Sequence, residues 1–230
     1  VDNVSPTIAL SGDANVDEGA TYTLTLGAIT DPGVDTVTSW VVHWGDGNTD
    51  TYFSAGDVTH TYADGPNSYT IVVDLVDEDG IHAGAGAHGV TVSNVVPTIA
   101  LAGDASVAEG ATYTLTLGAI TDPGDDSVTE WVVDWGDGTV DTYLAAGDVT
   151  HVYADGPNAY TIWVDLVDED GTHVDAGGHS ITVDDVDPTI ALAGDPNVDE
   201  GATYTLTLGA VTDPGDDSVT EWVVDWGDGT

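Results

Sequence analysis

The sequence predicts an all-β protein in which tandem β-sandwich repeats form a rod, and three observations lead to this fold class. The chain repeats itself with a period of 91 residues. Apolar and polar residues alternate within each repeat, which is the pattern of half-buried strands, and no sustained helical period interrupts it. Turn-forming groups of Asp, Gly and Pro separate the alternating runs. Such an array uses one surface many times instead of building a single active site.

Two landmarks set the limits of the repeats. The run PTIAL begins at Pro6, Pro97 and Pro188, and the turn WGDG begins at Trp44, Trp135 and Trp226. The predicted organisation is a linker at 1–5, complete repeats at 6–96 and 97–187, and a partial repeat at 188–230. Residues 97–139 and 188–230 differ at only four of 43 positions, which indicates recent duplication.

Each complete repeat is expected to contain about seven strands, the number typical of a sandwich of this size. In the first repeat the predicted strands cover 7–10, 21–28, 36–44, 49–53, 58–62, 68–76 and 88–93. The partial third repeat supplies only the first three of these strands, so inward residues such as Trp222 and Trp226 lack an opposing sheet. We expect the missing strands to come from continuation of the chain or from another protomer, and either route produces an open-ended filament.

The composition is strongly acidic. The 230 residues include 42 Asp and Glu but no Lys, Arg, Cys or Met, which gives a formal charge of -42. The carboxylates must therefore be satisfied by backbone N–H groups, water, histidine or cations from solution. Nucleic acid and anionic lipid surfaces are repelled, and no run approaches the roughly 20 apolar residues of a membrane helix. We expect no nucleic-acid partner, no membrane insertion and no disulfide scaffold.

The third predicted strand carries a stripe of aromatic residues. Trp40, Val42 and Trp44 share one face, and residues 131, 133 and 135 repeat the pattern. Large inward aromatics supply much of a small sandwich core, since each buries about 150–250 Å². A tryptophan stripe can also serve as a sugar platform, but the alternation favours the core.

Motifs that follow this strand carry a family resemblance. The turn WGDG at 44–47 is followed by THTYADG at 59–65, YTIVVD at 69–74 and DEDG at 77–80. Over the whole 91-residue unit the chain resembles the PKD family of extracellular β-sandwich domains, and it is most similar to the tandem PKD-type repeats of very large bacterial surface and secreted proteins. In one departure, the family's W-x-F-G-D-G is VDWGDG at 133–138, which moves the inward aromatics but keeps the turn.

The resemblance implies an immunoglobulin-like sandwich, a location outside the cell or on its surface, and a spacer, adhesive or fibre-forming role, often with bound calcium. In such a sandwich the N-terminus and the loops after the second and sixth strands share one end. Ca²⁺ takes six to eight oxygen ligands at about 2.3–2.6 Å, and these loops are rich in Asp. The predicted ligands are Asn3, Asp31, Asp35, Asp77 and Asp79 in the first repeat, Asn94, Asp122, Asp126, Asp168 and Asp170 in the second, and Asp185, Asp213 and Asp217 in the third.

Each predicted ligand also has a simpler interpretation, because Asp in these turns often only caps a backbone N–H. The lack of basic residues favours a divalent cation, Ca²⁺, as the neutralising partner. Asp46 and its equivalents in the WGDG turns are expected to support a tight hairpin. Asp13, Glu18 and Asp64 are expected at the same end as those turns, facing the next linker, where they could complete a further site with Asn94.

The remaining polar residues suggest little chemistry. Zinc usually requires three or four N or S ligands, so the seven histidines are expected to be ordinary surface or edge-strand residues. Paired carboxylates can serve glycosidases, but those enzymes need a cleft and two different environments. The sequence has no Cys nucleophile and no Lys for a phosphate loop, so we expect no enzymatic activity.

These observations predict a non-catalytic, calcium-stiffened rod or fibre-forming segment of a bacterial adhesin or surface protein. The alternative is a glycan- or protein-binding accessory module of a secreted multidomain protein. A third interpretation is a salt-adapted protein whose charge only holds water. One surface bears on the alternative: Trp163 and Val167 alternate with inward residues and face outward, beside Val132 of the neighbouring strand. This patch is a predicted interaction surface for sugar or for another protomer.

Overall fold

The computed structural model describes residues 4–33 and 35–229, and its secondary structure confirms the predicted all-β class. These residues form 18 strands and no helix. Within the same ranges, no segment has the helical length and apolar character needed to cross a membrane. The predicted ligand Asn3 lies outside the described residues.

The first sandwich contains eight strands. Their bounds are β1 Thr7–Gly12, β2 Asn15–Asp17, β3 Thr21–Thr30, β4 Ser39–His43, β5 Thr49–Tyr52, β6 Gly56–Thr61, β7 Asn67–Asp77 and β8 Gly80–Ser93. One sheet has the order β1-β3-β6 and the other the order β2-β8-β7-β4-β5. The pairing is antiparallel except between β2 and β8, which run parallel with Val16 opposite Val92. The two sheets make an immunoglobulin-like sandwich.

The core of this sandwich follows from the alternation in the sequence. Leu24 in β3, Val42 in β4 and Leu75 in β7 are fully buried, and Trp44 just after β4 is buried with them. The tryptophan stripe is therefore core in the first sandwich. Burial of these apolar side chains is the main stabilising contribution, at roughly 1.5–3 kcal/mol for each large residue.

The second sandwich repeats the first almost strand for strand. Its bounds are β9 Thr98–Gly103, β10 Ser106–Ala108, β11 Thr112–Thr121, β12 Glu130–Asp134, β13 Val140–Tyr143, β14 Gly147–Val152, β15 Asn158–Val167 and β16 Thr172–Asp184. The sheet orders are β14-β11-β9 and β10-β16-β15-β12-β13. Trp131 and Trp135 are buried like their equivalents 91 residues earlier.

The partial third repeat differs from its prediction in one strand. β17 Thr189–Gly194 and β18 Leu206–Thr212 pair as an antiparallel ribbon, whereas residues 213–229 contain no strand. The equivalent strands β4 and β12 each pair with two neighbouring strands. Residues 220–226, by contrast, pair with no strand among the described residues. Trp222 and Trp226 are consequently half exposed in this chain. Their burial in assembled material stays a prediction.

The chain forms two compact units whose limits differ from the predicted repeat boundaries. Unit 1 comprises Val1–Thr98, Thr121–Val128 and Val167–His173, and unit 2 comprises Ile99–Ile120, Thr129–Leu166 and Val174–Thr230. Two loops of the second repeat, 121–128 and 167–173, thus belong to unit 1. Asp125 explains part of this assignment, because its N–H donates to the carbonyl oxygen of Ala63 at 2.9 Å.

Candidate functional site

Acidic side chains converge at three places, which we call sites 1, 2 and 3. Site 1 lies in unit 1 and consists of Asp31, Asp35 and Asp77. Site 2 also lies in unit 1 and consists of Glu18, Asp64, Asn94, Asp122, Asp126 and Asp170. Site 3 lies in unit 2 and consists of Glu109, Asp185, Asp213 and Asp217.

Site 1 sits where the loop after β3 meets the end of β7. The three carboxylates each offer an oxygen within 4.8 Å of the other two. Asp31 caps its own turn by accepting the N–H of Gly33 at 2.8 Å. Asp77 is buried and accepts the N–H of Asp79 at 2.8 Å. Asp79 itself is exposed and contributes its charge to the site without belonging to the close group.

Glu18 is the centre of site 2 and is only 1% exposed. It follows β2, where its own N–H donates to the carbonyl oxygen of Ser93 at 3.0 Å. One carboxylate oxygen accepts the N–H of Gly65 at 2.8 Å, and the other accepts the N–H of Val95 at 2.6 Å. Glu18 therefore fastens the start of the inter-repeat segment to the first sandwich.

The loop 122–126 approaches Glu18 closely because glycine lies at the contact. A Cβ atom on Gly124 would come 2.7 Å from the carboxyl carbon of Glu18. Gly19 makes the reciprocal approach, since a Cβ there would strike the carbonyl group of Pro123. Asp122 and Asp126 are thereby placed with Glu18 in one group whose ligand oxygens lie within 4.8 Å of each other.

Several oxygens of these sites are buried and lack a hydrogen-bond donor. At the turn position shared by Asp31, Asp122 and Asp213, one oxygen caps the turn while Oδ2 is buried and unpartnered. In site 2, Oδ1 of Asn94 and both carboxylate oxygens of Asp126 are also buried without a donor. Turn capping thus accounts for only one of the two carboxylate oxygens at this turn position. The other oxygen is buried without a partner, which costs free energy.

The electrostatics identify the same position in every repeat. Burial, followed by the charges of Glu18, Asp122, Asp170 and Asp168, raises the pKa of Asp126 to about 7. Burial and neighbouring carboxylates also raise the pKa of Asp35 and of Asp217, the residues 91 positions away on either side. The fold holds a carboxylate at each of these positions against repulsion from its neighbours.

Site 3 repeats the construction of site 2 in unit 2. Glu109 is buried and accepts the N–H groups of Gly156 at 2.7 Å and Val186 at 2.9 Å. Glu109, Asp185 and Asp217 form one close group, in which each residue offers an oxygen within 4.8 Å of the other two. Asp185 takes the place of Asn94, which adds one negative charge to site 3.

The structure brings together most of the predicted ligands, and Asp168 lies beside them without belonging to a close group among the described residues. Asp168 is buried, its Oδ1 accepts the N–H of Asp170 at 2.9 Å, and its Oδ2 lies 2.7 Å from Nε2 of His173. It shapes the loop 167–173 as Asp77 shapes its own loop in site 1, and although it lies outside the close groups of site 2, its Oδ2 is buried and, in spite of the nearby His173, without a hydrogen-bond partner. Asp13 is also outside the site; its carbonyl oxygen accepts the hydroxyl of Tyr22.

Glu18 and Asp64, which the sequence suggested only for a further site with Asn94, are members of the main site, and Glu109 was missed. One signal was available within the repeats. Position 17 is Asp in the first repeat and Ala108 in the second, whereas Glu18 recurs as Glu109 and Glu200, each followed by Gly. A Glu that stays the same in all three repeats, beside a residue that changes, indicates that the structure constrains the Glu side chain.

Several histidines are more buried and make more specific contacts than predicted. His60 and its equivalent His151 are largely buried, each lies 2.7 Å from the Asp of a WGDG turn, and each stacks on the Trp of that turn. His82 makes the same kind of pair with Asp77. His60 and His151 lie on the edge strands β6 and β14, as predicted, but they are not ordinary surface residues, because each packs on a Trp and contacts an Asp. The WGDG aspartates have the structural role that the sequence predicted.

Trp163 is outward-facing, as predicted, and 43% exposed. It covers a glycine of the adjacent strand β16, since a Cβ on Gly178 would come 2.7 Å from the indole ring. The equivalent cross-strand pair in the first repeat is Val72 opposite Ala87. A larger residue on β15 is therefore matched by a smaller one on β16, and the outer face of the indole remains available. The other predicted members, Val132 and Val167, are partly buried.

The donor sets of the three sites match a hard cation. The oxygens of each group are within 4.8 Å of one another, and two ligands on one Ca²⁺ can be separated by at most about twice the 2.3–2.6 Å bond length. Carboxylate and amide oxygens on irregular loops suit Ca²⁺ better than Zn²⁺, which prefers N and S ligands.

Comparisons with known proteins give no family assignment. No protein-family model matches the chain, and no curated protein matches it. Among solved structures, the chain is similar to one described as fibronectin(III)-like modules of CbhA from Clostridium thermocellum. The identity is 19%, the alignment covers 76% of this chain and 94% of that chain, and the TM-score is 0.33. The immunoglobulin-like description above therefore rests on the strand order of the chain itself.

Proposed function

We propose that the chain is a non-catalytic structural repeat of the PKD type, a calcium-stiffened rod or fibre-forming segment of a bacterial adhesin or other extracellular surface protein. One observation carries the proposal: Oδ1 of Asn94, Oδ2 of Asp122 and both carboxylate oxygens of Asp126 in site 2 are buried and have no hydrogen-bond partner. A bound Ca²⁺ supplies the partner that the protein does not.

The charge of the chain supports the same function. Repulsion among clustered carboxylates acts within a Debye length of about 8–10 Å at moderate salt, and no Lys or Arg offsets it. A divalent cation bound only to the folded state removes this repulsion and stabilises the fold by mass action.

Stiffening follows from what site 2 connects. Glu18 anchors Val95 in the inter-repeat segment, Asn94 donates to Asp170 at 2.8 Å, and Asp122 and Asp126 come from the next repeat. An ion coordinated by these groups limits hinge motion of that segment. Repetition of the same site every 91 residues then favours an extended filament over a closed oligomer.

Thermal unfolding tests the calcium component. With calcium at about a hundredfold excess over its dissociation constant, the folded state gains about 2.7 kcal/mol for each site, which corresponds to a rise in Tm of about 10–20 °C. The comparison is millimolar calcium against chelator at matched ionic strength, with sodium chloride as the control for the salt-adapted interpretation. Equal melting in calcium and chelator would contradict the proposal, and equal stabilisation by sodium would favour the salt-adapted interpretation.

A matched pair of variants localises the effect. Asp122→Asn combined with Asp126→Asn is expected to reduce the calcium response of unit 1 to the part that site 1 provides, because it removes two ligands of site 2 that have buried oxygens without donors. Asp57→Asn is the control, since Asp57 is exposed and accepts only a hydroxyl, that of Thr25. Small-angle scattering on the same samples reports stiffness: the maximum dimension should fall in chelator if calcium limits hinge motion.

A glycan- or protein-binding accessory module is a second candidate function, and the exposed indole of Trp163 favours it. The ring lies close to Gly178 and is 43% exposed, and an exposed aromatic ring can stack on a sugar or on another protein. Trp163→Thr is expected to abolish retardation by neutral polysaccharides in affinity electrophoresis, or self-association in sedimentation.

The double variant Trp163→Val with Gly178→Ala is the control for the Trp163 prediction, because it installs the Val72 and Ala87 pair of the first repeat and keeps the sheet packed. It should lose binding and retain stability. If Trp163→Thr leaves both polysaccharide retardation and association unchanged, Trp163 has no role in binding.

A further inference from the structure

We propose that site 2 holds two calcium ions bridged by the carboxylate of Asp126. The inference rests on the proposed calcium function and goes beyond it in stoichiometry and in the role of one residue. The structure carries it through three observations: two overlapping ligand groups, the condition of the Asp126 oxygens, and the charge of the site.

The ligands of site 2 form two groups that share one member. The first group contains Glu18, Asp122 and Asp126, and the second contains Asp64, Asp126 and Asp170. Within each group the ligand oxygens lie within 4.8 Å of one another. This separation fits one Ca²⁺ for each group, since two oxygens on one ion are at most about 5 Å apart at bond lengths of about 2.3–2.6 Å.

Asp126 differs from every other carboxylate of site 2 because both of its oxygens are buried and lack a donor. One oxygen of Asp122 accepts a hydrogen bond from the N–H of Gly124 at 3.0 Å. Both oxygens of Glu18 accept backbone N–H groups, those of Gly65 and Val95. Only the remaining lone pairs of the two Glu18 oxygens are available to an ion. Asp126 thus belongs to both groups and has two oxygens without a donor, which meets the requirement for a bridging carboxylate.

The charge of site 2 also requires more than one divalent ion for neutrality. The site gathers five carboxylates, those of Glu18, Asp64, Asp122, Asp126 and Asp170. When all five are ionised, as they are once a cation is bound, their charges sum to -5, so one Ca²⁺ leaves -3 and two leave -1. Asn94 adds a neutral oxygen, Oδ1, that is buried and without a donor.

Sites 1 and 3 provide internal controls because each contains a single close group among the described residues. Among the described residues, the close group of site 3 contains Glu109, Asp185 and Asp217. Asp217 matches Asp126 in sequence but belongs to a single close group in this part of the chain.

The first experiment counts bound calcium on the full chain by native mass spectrometry and by equilibrium dialysis. Asp126→Asn is expected to remove two ions, whereas Asp217→Asn, Asp64→Asn and Asp122→Asn are each expected to remove one. Far-ultraviolet circular dichroism on the same samples confirms that each variant is folded. Loss of the same number of ions from Asp126→Asn and Asp217→Asn would overturn the bridging role.

The second experiment measures the proximity of the two ions without relying on Asp126 variants. Ions that share a carboxylate lie on the order of 4 Å apart. A mixture of Tb³⁺ and Nd³⁺ bound to the wild-type chain is therefore expected to shorten the Tb³⁺ emission lifetime through energy transfer. Asp64→Asn should restore the long lifetime and retain Tb³⁺ emission from the first group.

The outcomes separate this inference from the proposed function. Calcium binding with one ion at site 2 and no energy transfer overturns the two-ion site and leaves the calcium-stiffened repeat standing. No calcium binding at any site overturns both.

Discussion

Replacing Trp44 with alanine is expected to destabilise unit 1 by about 3–5 kcal/mol, because it removes a large aromatic side chain from a packed core. Trp44 is 0% exposed. Its indole stacks on His60 with ring centroids 4.7 Å apart, and Nε1 donates to Asp50 at 2.8 Å. The substitution therefore leaves a cavity, an unstacked histidine and a carboxylate without its donor.

Trp226→Ala is the matched control for this prediction. Trp226 occupies the same WGDG motif, but it is 51% exposed because the third repeat lacks an opposing sheet. Its substitution should cost about 1 kcal/mol or less, in the range of surface changes. Urea unfolding followed by circular dichroism measures both variants. Equal losses would show that the motif acts through local turn structure and not through burial.

Glu18→Ala is expected to destabilise unit 1 by about 2–6 kcal/mol even in chelator, because it orphans two backbone donors at about 1–3 kcal/mol each. The N–H groups of Gly65 and Val95 both depend on this carboxylate. The loss in chelator separates the structural role of Glu18 from its role as a ligand. Addition of calcium should then rescue the variant less than it stabilises the wild type.

Glu78→Ala serves as the control for Glu18→Ala. Glu78 also accepts a backbone N–H, that of Thr36 at 3.0 Å, but it is exposed and water can replace it. We expect a change within about 0.5 kcal/mol, measured by the same unfolding assay. A comparable loss in the two variants would mean that burial does not determine the effect.

The strands with strong alternation were predictable, and two features without it were not. β2 is three residues long with one apolar side chain, and it forms only because it pairs in parallel with β8, about 75 residues away. β8 begins at Gly80 and runs through a Gly- and Ala-rich stretch that has no hydrophobic period. Long-range backbone pairing stabilises both segments, and the local sequence pattern cannot predict such pairing.

The site was predictable where it is local. The turn acids Asp122 and Asp126 follow from composition and spacing, because Asp, Pro and Gly together specify the loop. The contribution of Glu18 depends on how the inter-repeat segment folds back, which brings residues about 100 positions apart together. The proximity of Asp168 to His173 cannot be inferred from spacing alone, and the role of Asp168 as a ligand stays a prediction.

The parallel pairing of β2 with β8 has a mechanical consequence. β2 lies near the beginning of the first repeat and β8 ends it, with Asn15, Val16 and Asp17 opposite Thr91, Val92 and Ser93. A tensile force applied along the chain pulls these strands past one another in shear. The inter-strand hydrogen bonds, including those from Thr91 to Ala14 and from Glu18 to Ser93, then carry load together instead of opening one at a time. We therefore expect this short strand, which sequence patterns overlook, to carry load when the repeat is under tension.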